Sequence, residues 1–284
     1  MNLATTSVTD WNPNFIDRSP LFLPFAHLRH RFEDLLCWPR HEDLNNLITS
    51  NQKIILTQSG KAIRFVPQAT GKQNLEQQYE ARIYLTGEIQ TRINNWHDFF
   101  NALVWKIFPH TKSMLNQIHF QAQQFESSNS IKNRCGLRDA ATLFDESGII
   151  VVSEQSSLAR LLVDFEWKSL FWRQRDAVLQ SMRFFVFGHG LYEKALNPYT
   201  GMTGKGIILD VDQTFFTQTL PKQLSILDTM LASFLSDTKL SKSLMTPVPI
   251  LGYPGWIEEN RHEAYYDNEQ YFRNRHRKSP DLTI

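Results

Sequence analysis

The stretch 94-NNWHDFFNALVWKIFPHTK-112 places large apolar side chains on almost every side of the helix that it would form. We predict a helix over about 95–108 that is buried on most sides, because a helix that is apolar all round belongs to a core. Pro109 and His110 separate it from a second helix, predicted over about 111–126. Other elements must cover such a helix, so the chain is expected to form a compact globular body.

The start of this helix combines a capping signal with two polar side chains on one face. Asn95 is the predicted N-cap, and Asp98 at the third helical position can accept a free backbone N–H at the positive end of the helix dipole. His97 and Asn101 are four residues apart and share a face, whereas Asp98 is turned about 100° away from His97. A hydrogen bond between the neighbours His97 and Asp98 is therefore not expected, and Asp98 is open to a capping or a functional role.

Two explanations of this polar face remain open. A buried imidazole and a buried amide must find partners or cost about 1–3 kcal/mol each. Either His97 and Asn101 are satisfied by hydrogen bonds inside the core, or they line a cavity that binds something.

The stretch 187-FGHGLYEKAL-196 offers a second polar pair in apolar surroundings. Glu193 follows His189 by one helical turn, and such a pair can bind one metal ion or fix the imidazole tautomer for acid-base chemistry. An ordinary buried His–Glu hydrogen bond is the alternative. Gly188 and Gly190 cost about 1 kcal/mol each inside a helix, so the close approach of another backbone or of a ligand would explain them.

A third block, 134-RCGLRDAATLFDESG-148, begins with two arginines and a carboxylate. The guanidinium groups of Arg134 and Arg138 could hold an anionic substrate, while Asp139 acts as a base, a ligand or an orienting group. The alternative is that Arg138 and Asp139 form structural ion pairs.

The β-rich runs of the sequence predict two hairpins, at 53–67 and 141–154, and each turns at a Ser-Gly pair. Asp145 and Glu146 are accordingly interpreted as turn residues of the second hairpin. A buried strand is predicted at 205–212. The remaining helices are predicted at 25–38, 41–49, 155–196 and 221–235, and the segment 74–92 fits a helix and a strand equally well.

These elements favour the α+β fold class, as a mainly helical single domain with short antiparallel hairpins over residues 21–284. Residues 1–20 are polar and contain proline, and we expect them to form an extended N-terminal arm. The Pro/Gly-rich stretch 246–260 is expected to be an extended C-terminal segment. We find no internal repeat and no low-complexity linker that would divide the sequence.

The composition excludes several classes of protein. With 284 residues, of which 42% are hydrophobic, the chain can bury a sizeable core and is not disordered. Since 30 Lys plus Arg face 29 Asp plus Glu, no global charge drives binding to nucleic acid or to an anionic membrane. We see no secretory signal and no apolar stretch of the roughly 20 residues that span a bilayer. Cys37 and Cys135 lack the close spacing of metal-binding cysteines, and two thiols in a chain of this length are typical of a reducing compartment, so we expect a cytoplasmic protein. The sequence does not predict an oligomeric state.

Two short motifs resemble those of known enzyme superfamilies. Asp210, Asp212 and Thr214 match the Asp-x-Asp-x-Thr motif of haloacid dehalogenases, but the later Lys and paired-Asp motifs are missing. The doublet of His97 and Asp98 resembles that of HD-domain phosphohydrolases. Those proteins are all-helical and require a further upstream His and downstream Asp, whereas two predicted hairpins interrupt this chain. We favour neither assignment.

Four blocks of the sequence together resemble a proteobacterial family known only as a domain of unknown function, family three thousand and twenty-five. The resemblance extends from about Phe25 to Arg273. It is carried by 95-NWHDFFNALVW-105, 138-RDAATLFDESG-148, 187-FGHGLYEKAL-196 and 249-PILGYPGW-256. It implies no established reaction, but it implies that these blocks are the family's signature and that the dehalogenase-like motif is not part of it.

The candidate site draws on these blocks. We predict that the helices at 95–108 and 174–196 bring His97, Asn101, His189 and Glu193 into one pocket. The other predicted members are Arg134, Arg138 and Asp139, at the start of a strand, and Trp256, in a lid formed by Pro254, Gly255 and Trp256.

The preferred hypothesis is an enzyme, a hydrolase or a transferase, that acts on a small anionic molecule bound by Arg138. His97 or His189 would be the general base, with Asp139 and Glu193 as further catalytic groups. Alternatively, His97, His189 and Glu193 would bind a divalent metal ion. The sequence predicts no other cofactor. The competing hypothesis is a non-catalytic binding or regulatory protein, in which the polar cluster is sealed and only fixes the packing.

Overall fold

The computed structural model describes residues 10–49, 54–69, 77–129 and 135–274. Its α-helices are α1 (His41–Thr49), α2 (Tyr79–Thr86), α3 (Trp96–Ile107), α4 (Pro109–Ser128), α5 (Gly136–Ser147), α6 (Ser156–Val163), α7 (Arg175–Ser181), α8 (His189–Ala195), α9 (Gln213–Thr217) and α10 (Leu220–Asp237). Its strands are β1 (Arg64–Val66), β2 (Glu88–Gln90), β3 (Gly148–Ser153), β4 (Met182–Val186), β5 (Thr203–Asp210) and β6 (Thr246–Pro249). The fold is therefore a mainly helical α+β fold, as predicted.

Helix α3 begins at the predicted cap and is buried on most sides. The side chain of Asn95 accepts a hydrogen bond from the backbone N–H of Asp98 at 3.0 Å, which satisfies a free amide of the first turn. Phe100, in the middle of the helix, is fully buried. Trp11 stacks on Trp96 and so brings the described part of the N-terminal segment against α3. The predicted core helix and its cap are confirmed.

Four strands form a mixed sheet in the order β4-β3-β5-β6, and β1 pairs with β2 separately. The central strand β3 runs antiparallel to β4 and parallel to β5. All of its residues are buried, as expected for a strand that is covered on both faces. Because Ile149 pairs with Val186, the start of β3 lies beside the end of β4. The end of α5 and the start of α8, which adjoin these strand ends in sequence, therefore lie close together.

The hairpin predicted over 141–154 is wrong. Its first half is the end of α5, and only its second half, β3, is a strand. Ala140, Ala141 and Phe144 are fully buried and are spaced as residues on one face of a helix. This helical repeat of buried residues, and not the alternation of a strand, describes the segment up to Gly148. The Ser-Gly pair joins a helix to a strand, so the carboxylates before it are helical and not turn residues.

The continuous helical pattern predicted over 155–196 is also wrong, because strand β4 interrupts it. Residues Met182–Val186 pair one by one with β3. In a strand that is covered on both faces almost every residue is apolar, so its sequence matches the spacing of a buried helix as well as that of a strand. Only the pairing with a distant strand decides between the two.

Most of the other predicted elements are present, one with the predicted ends and the others with shifted ends. The helices predicted at 41–49, 111–126 and 221–235 and the strand predicted at 205–212 correspond to α1, α4, α10 and β5. The helix predicted at 25–38 is a 3-10 helix, Pro20–Arg31, that begins and ends earlier. Of the hairpin at 53–67, the structure shows one antiparallel bridge between Leu56 and Ala62, while β1 pairs in parallel with β2.

Parts of several predictions lie outside the described residues. They are residues 1–9 of the expected arm, residue 53 of the first hairpin, residues 74–76 of the ambiguous segment, and Arg134. Among the helices that the structure describes, none combines the length and the apolar character needed to cross a membrane.

Candidate metal centre

Three segments that are distant in sequence supply the candidate site. His97 lies in the first turn of α3, Glu146 in the last turn of α5, and His189 is the first residue of α8. The pairing of β3 with β4 brings the ends of α5 and α8 together, and α3 packs against α8. The fold of the central strands thus assembles this cluster.

The imidazole rings of His97 and His189 face each other through their Nε2 atoms, which are 3.1 Å apart. The Oε1 atom of Glu146 lies 3.4 Å from Nε2 of His189 and 3.6 Å from Nε2 of His97. These three atoms, which we call the ligand triangle, are nearly equidistant. Two imidazole nitrogens and one carboxylate oxygen that lie this close together are the donor set of many catalytic metal sites.

A carboxylate lies beside the other nitrogen of each ring. Oε2 of Glu193 is 3.0 Å from Nδ1 of His97, within hydrogen-bonding distance. Oδ2 of Asp145 is 3.7 Å from Nδ1 of His189, and the buried Lys112 holds the other oxygen of Asp145 at 2.5 Å. Histidines that bind a metal are commonly oriented by a carboxylate on the nitrogen that does not bind it.

Gly188 and Gly190 let the end of α5 approach α8 closely. A Cβ atom on Gly188 would lie 2.5 Å from three backbone atoms at the junction of α5 and β3. A Cβ atom on Gly190 would lie 2.6 Å from Oε2 of Glu146. The expectation that a close backbone approach explains these glycines is confirmed, and this approach places Glu146 beside His189.

The charged groups of the cluster strongly shift the pKa values of His97 and Glu146. Hydrogen bonding to Glu146 and to Glu193 raises the pKa of His97 to about 10, against the effect of burial. Burial alone would raise the pKa of Glu146, but the hydrogen bonds to His189 and His97 outweigh it and hold this pKa well below its ordinary value. The negative carboxylates therefore favour a positive charge between the two rings, whether it is a proton or a metal ion.

The ligand triangle borders a cavity of about 490 Å³. Nδ2 of Asn101 donates a hydrogen bond to the hydroxyl oxygen of Tyr79 at 2.8 Å, and both side chains line the cavity. Although 37% of the Tyr79 surface is exposed, desolvation of its hydroxyl raises the pKa of Tyr79, and the negative charge of Glu80 adds to this effect. The hydroxyl of Tyr79 thus keeps its proton and can donate it in a hydrogen bond to a bound molecule. Arg92, also in the lining, forms an ion pair with Asp98 at 2.8 Å.

Four of the residues predicted from the sequence meet here. His97, Asn101 and His189 line the cavity. The sequence spacing had suggested that Glu193 pairs with His189, one turn earlier on the same helix. Glu193 instead contacts His97, which lies on a different helix.

The residues predicted to bind an anion lie elsewhere. Arg138 forms an ion pair with Glu126 at 2.5 Å, and Asp139 forms one with Lys242 at 3.1 Å. Both residues belong to helix α5, which occupies the place of the first strand of the predicted hairpin. Neither side chain borders the cavity at the ligand triangle.

The remaining candidates also have other surroundings. Trp256 packs against Tyr253 with ring centroids 5.0 Å apart, and it does not border the cavity. Arg134 lies outside the described residues. Asp212, from the dehalogenase-like motif, caps α9 by accepting a hydrogen bond from the backbone N–H of Phe215 at 3.3 Å.

Sequence reasoning missed Glu146 and Asp145, and also Tyr79 as a neighbour of Asn101. The two acidic residues were assigned to a turn because a Ser-Gly pair follows them. The helical spacing of the apolar residues before them was the available signal. Tyr79 comes from the segment that fitted a helix and a strand equally, so its side-chain direction could not be assigned.

The sequence profile of a family described as "Protein of unknown function (DUF3025)" matches residues 63–276, which is most of the chain. The chain belongs to the DUF3025 family. The DUF3025 match contains the whole ligand triangle and both carboxylates beside it. Neither a curated protein nor a solved structure matched the chain.

Proposed function

We propose that this protein is a metal-dependent hydrolase, in which His97, His189 and Glu146 bind one divalent transition-metal ion such as zinc. The ligand triangle is the observation that supports this proposal. Ligand atoms held about 2.0–2.1 Å from a tetrahedral zinc ion lie about 3.3–3.4 Å apart. The observed separations of 3.1, 3.4 and 3.6 Å are close to that value.

The surroundings of the rings support the same proposal. Glu193 lies within hydrogen-bonding distance of Nδ1 of His97 and so orients this ring with Nε2 towards the ligand triangle. Asp145 lies 3.7 Å from Nδ1 of His189, which makes no hydrogen bond to a described residue, so its carboxylate acts on this ring through charge alone. Glu193, which the sequence suggested as a ligand, orients a ligand in this proposal. Because both imidazoles would be ligands, neither would act as the general base.

Three protein ligands leave a coordination position for water or substrate, as in catalytic zinc sites and unlike closed structural ones. A bound divalent ion lowers the pKa of a coordinated water and polarises a carbonyl or phosphoryl oxygen. The hydroxyl of Tyr79 would donate a hydrogen bond to the oxygen on which negative charge develops.

The cavity suggests a small substrate with one anionic or carbonyl group. Glu80, Asp98, Asp145 and Glu146 border it, and Arg92 is the single arginine among its described lining residues. A polyanion would be repelled by these carboxylates. The anionic group of a substrate would therefore bind at the metal ion itself, and Arg138 would not take part.

Metal content tests the proposal. The purified protein, dialysed against zinc and then against metal-free buffer, should retain about one zinc per chain by elemental analysis. His97→Ala, His189→Ala and Glu146→Gln should each lose most of it. His110→Ala is a matched control, because His110 also contacts a carboxylate, Asp228, but lies outside the ligand triangle. A parent protein without bound zinc, or equal retention in all variants, would overturn the proposal.

Activity separates the hydrolase from a protein that only binds a ligand. We expect the zinc-loaded protein to hydrolyse at least one member of a panel of small esters, amides and phosphate monoesters. The His189→Ala variant should lose this activity. A protein that retains zinc but hydrolyses none of them would support the binding or regulatory alternative.

A further inference from the structure

Two of the carboxylates around the cavity at the ligand triangle are paired with basic side chains. Asp98 forms an ion pair with Arg92 at 2.8 Å. Asp145 forms one at 2.5 Å with Lys112, which is buried. Each pair is neutral as a whole, so these parts of the lining add no net charge to the cavity.

A metal ion in the ligand triangle would balance the carboxylates that lie next to it. Glu146 supplies one atom of the triangle, and Oε2 of Glu193 lies 3.0 Å from Nδ1 of His97. Once the ion has displaced the proton from His97, its two positive charges offset these two negative ones. The metal-loaded centre therefore also adds no net charge.

Glu80 is different, because its charge is not balanced within the described part of the chain. It lies in the first turn of α2 and borders the same cavity, and its Oε2 accepts a hydrogen bond from Nδ2 of Asn116 at 2.8 Å. No lysine, arginine or histidine among the described residues forms an ion pair with it. The residue is partly buried, so water and salt screen its charge only in part. One negative charge of the loaded cavity is thus left without a partner.

The lining also carries polar groups that the described residues do not pair. Asn101 is 8% exposed and His119 is 4% exposed, and both border the cavity. Oδ1 of Asn101 and Nδ1 of His119 make no hydrogen bond to a described residue. Buried polar groups without partners are rare in proteins, and a wall that contains them is expected where a polar ligand binds. Both atoms are shielded, so neither is assigned a contact with the ligand.

We propose that the substrate is an amide or an ester that carries an ammonium group, with its carbonyl oxygen at the metal ion and its ammonium at Glu80. This inference rests on the proposed metal-dependent hydrolase. In the reaction the hydroxide of a water adds to the carbonyl carbon, the C–N or C–O bond breaks, and the other proton of that water passes to the leaving nitrogen or oxygen.

An ammonium fits this place for two reasons. It supplies the positive charge that the lining lacks, and its N–H groups form charge-assisted hydrogen bonds to a carboxylate, which are stronger than neutral ones. A phosphate ester fits less well, because its negative charges would lie in the same cavity as the unbalanced Glu80.

Isothermal titration calorimetry with hydroxamates, which bind zinc through their oxygens, tests this inference on the zinc-loaded protein at neutral pH. The hydroxamates of β-alanine, γ-aminobutyrate and δ-aminovalerate carry an ammonium at three distances from the metal-binding group. Those of propionate, butyrate and valerate are the same molecules without it. At least one amino compound should bind about tenfold or more tightly than its amine-free counterpart, the gain expected for one charge-assisted hydrogen bond.

A pair of variants tests the place of the ammonium. Glu80→Gln keeps the side-chain shape and an oxygen for Asn116, and it should bring the ratio of the two Kd values close to one. The control Glu154→Gln removes an exposed carboxylate outside the lining and should keep the ratio of the parent.

The outcomes separate this inference from the hydrolase. If the amine-free hydroxamates bind but no amino compound binds more tightly, or if Glu80→Gln keeps the ratio of the parent, the ammonium site is overturned and the metal centre stands. If the protein retains no zinc, the metal centre is overturned and the ammonium site with it.

Discussion

At the scale of single residues, the main feature is the facing pair of His97 and His189. Their Nε2 atoms are 3.1 Å apart, so at most one proton can lie between them. The carboxylates of Glu193 and Glu146 strongly favour a positive charge on His97. In the proposed holo protein the metal ion takes the place of that proton.

The carboxylate beside His97 should tune the affinity for metal. Glu193→Gln removes a negative charge but keeps the side-chain shape, and we expect it to weaken zinc binding about 10- to 100-fold, as is usual for partners of metal ligands. Competition with a chromophoric chelator measures the change. Glu263→Gln is the control, because Glu263 forms an exposed ion pair with Lys168 away from the site. Equal affinities of the two variants would show that Glu193 does not act on a ligand.

The raised pKa of His97 predicts how metal affinity depends on pH. A group whose pKa is about 10 keeps its proton at neutral pH, and a metal ion must displace that proton to bind Nε2. From this ring alone, the apparent Kd for zinc should decrease about tenfold for each unit that the pH rises between about 6.5 and 9. The same chelator competition, repeated across this range, measures it. A Kd that is constant or increases with pH would contradict the prediction.

At the scale of elements, the junctions α5–β3 and β4–α8 build the site. The sequence predicted α3 with its cap, because capping chemistry and apolar periodicity are local. It did not predict the α5–β3 junction, because a Ser-Gly pair follows a helix as readily as it forms a hairpin turn. Strand β4 was missed because its partner lies about thirty residues earlier in the chain. The segment that carries Glu146 therefore could not be placed at the site before the pairing of β3 with β4 was known, although His97 and His189 were predicted to share a pocket.

The close contact between these junctions should be sensitive to one methyl group. Gly188→Ala would place a Cβ atom 2.5 Å from three backbone atoms, so we expect it to lower the free energy of unfolding by about 1–3 kcal/mol or more. Chemical denaturation measures this loss. Gly136→Ala is the matched control, because nothing lies within 4 Å of its Cβ position, and it should be neutral or slightly stabilising. Equal free energies of unfolding for Gly188→Ala and Gly136→Ala would show that the backbones do not approach closely at Gly188.

At the scale of the whole molecule, the fold class followed from the sequence but the site did so only in part. Composition and periodicity sufficed for a mainly helical α+β protein. The pairing of His97 with His189 joins helices about ninety residues apart, and it was proposed only because each is a polar residue in apolar surroundings. The third ligand, Glu146, could not be proposed while its segment was interpreted as a turn.

An ion that joins α3, α5 and α8 should stabilise the molecule as a whole. Binding to the folded state at a free zinc concentration 100 times the Kd adds about 2.7 kcal/mol to the free energy of unfolding. We expect zinc to raise the Tm of the parent protein in calorimetry and to leave the Tm of His189→Ala unchanged. An equal rise in both proteins would mean that zinc stabilises them at another place.

The coordination sphere of the bound metal tests the central claim most directly. X-ray absorption spectroscopy of the zinc-loaded protein should show two imidazole nitrogens and light-atom oxygen ligands at about 2.0–2.2 Å, with no sulfur. Removal of His97 and His189 together, by substitution with alanine, should eliminate the imidazole signal. A sphere with fewer than two imidazoles, or one unchanged in the double variant, would contradict the account.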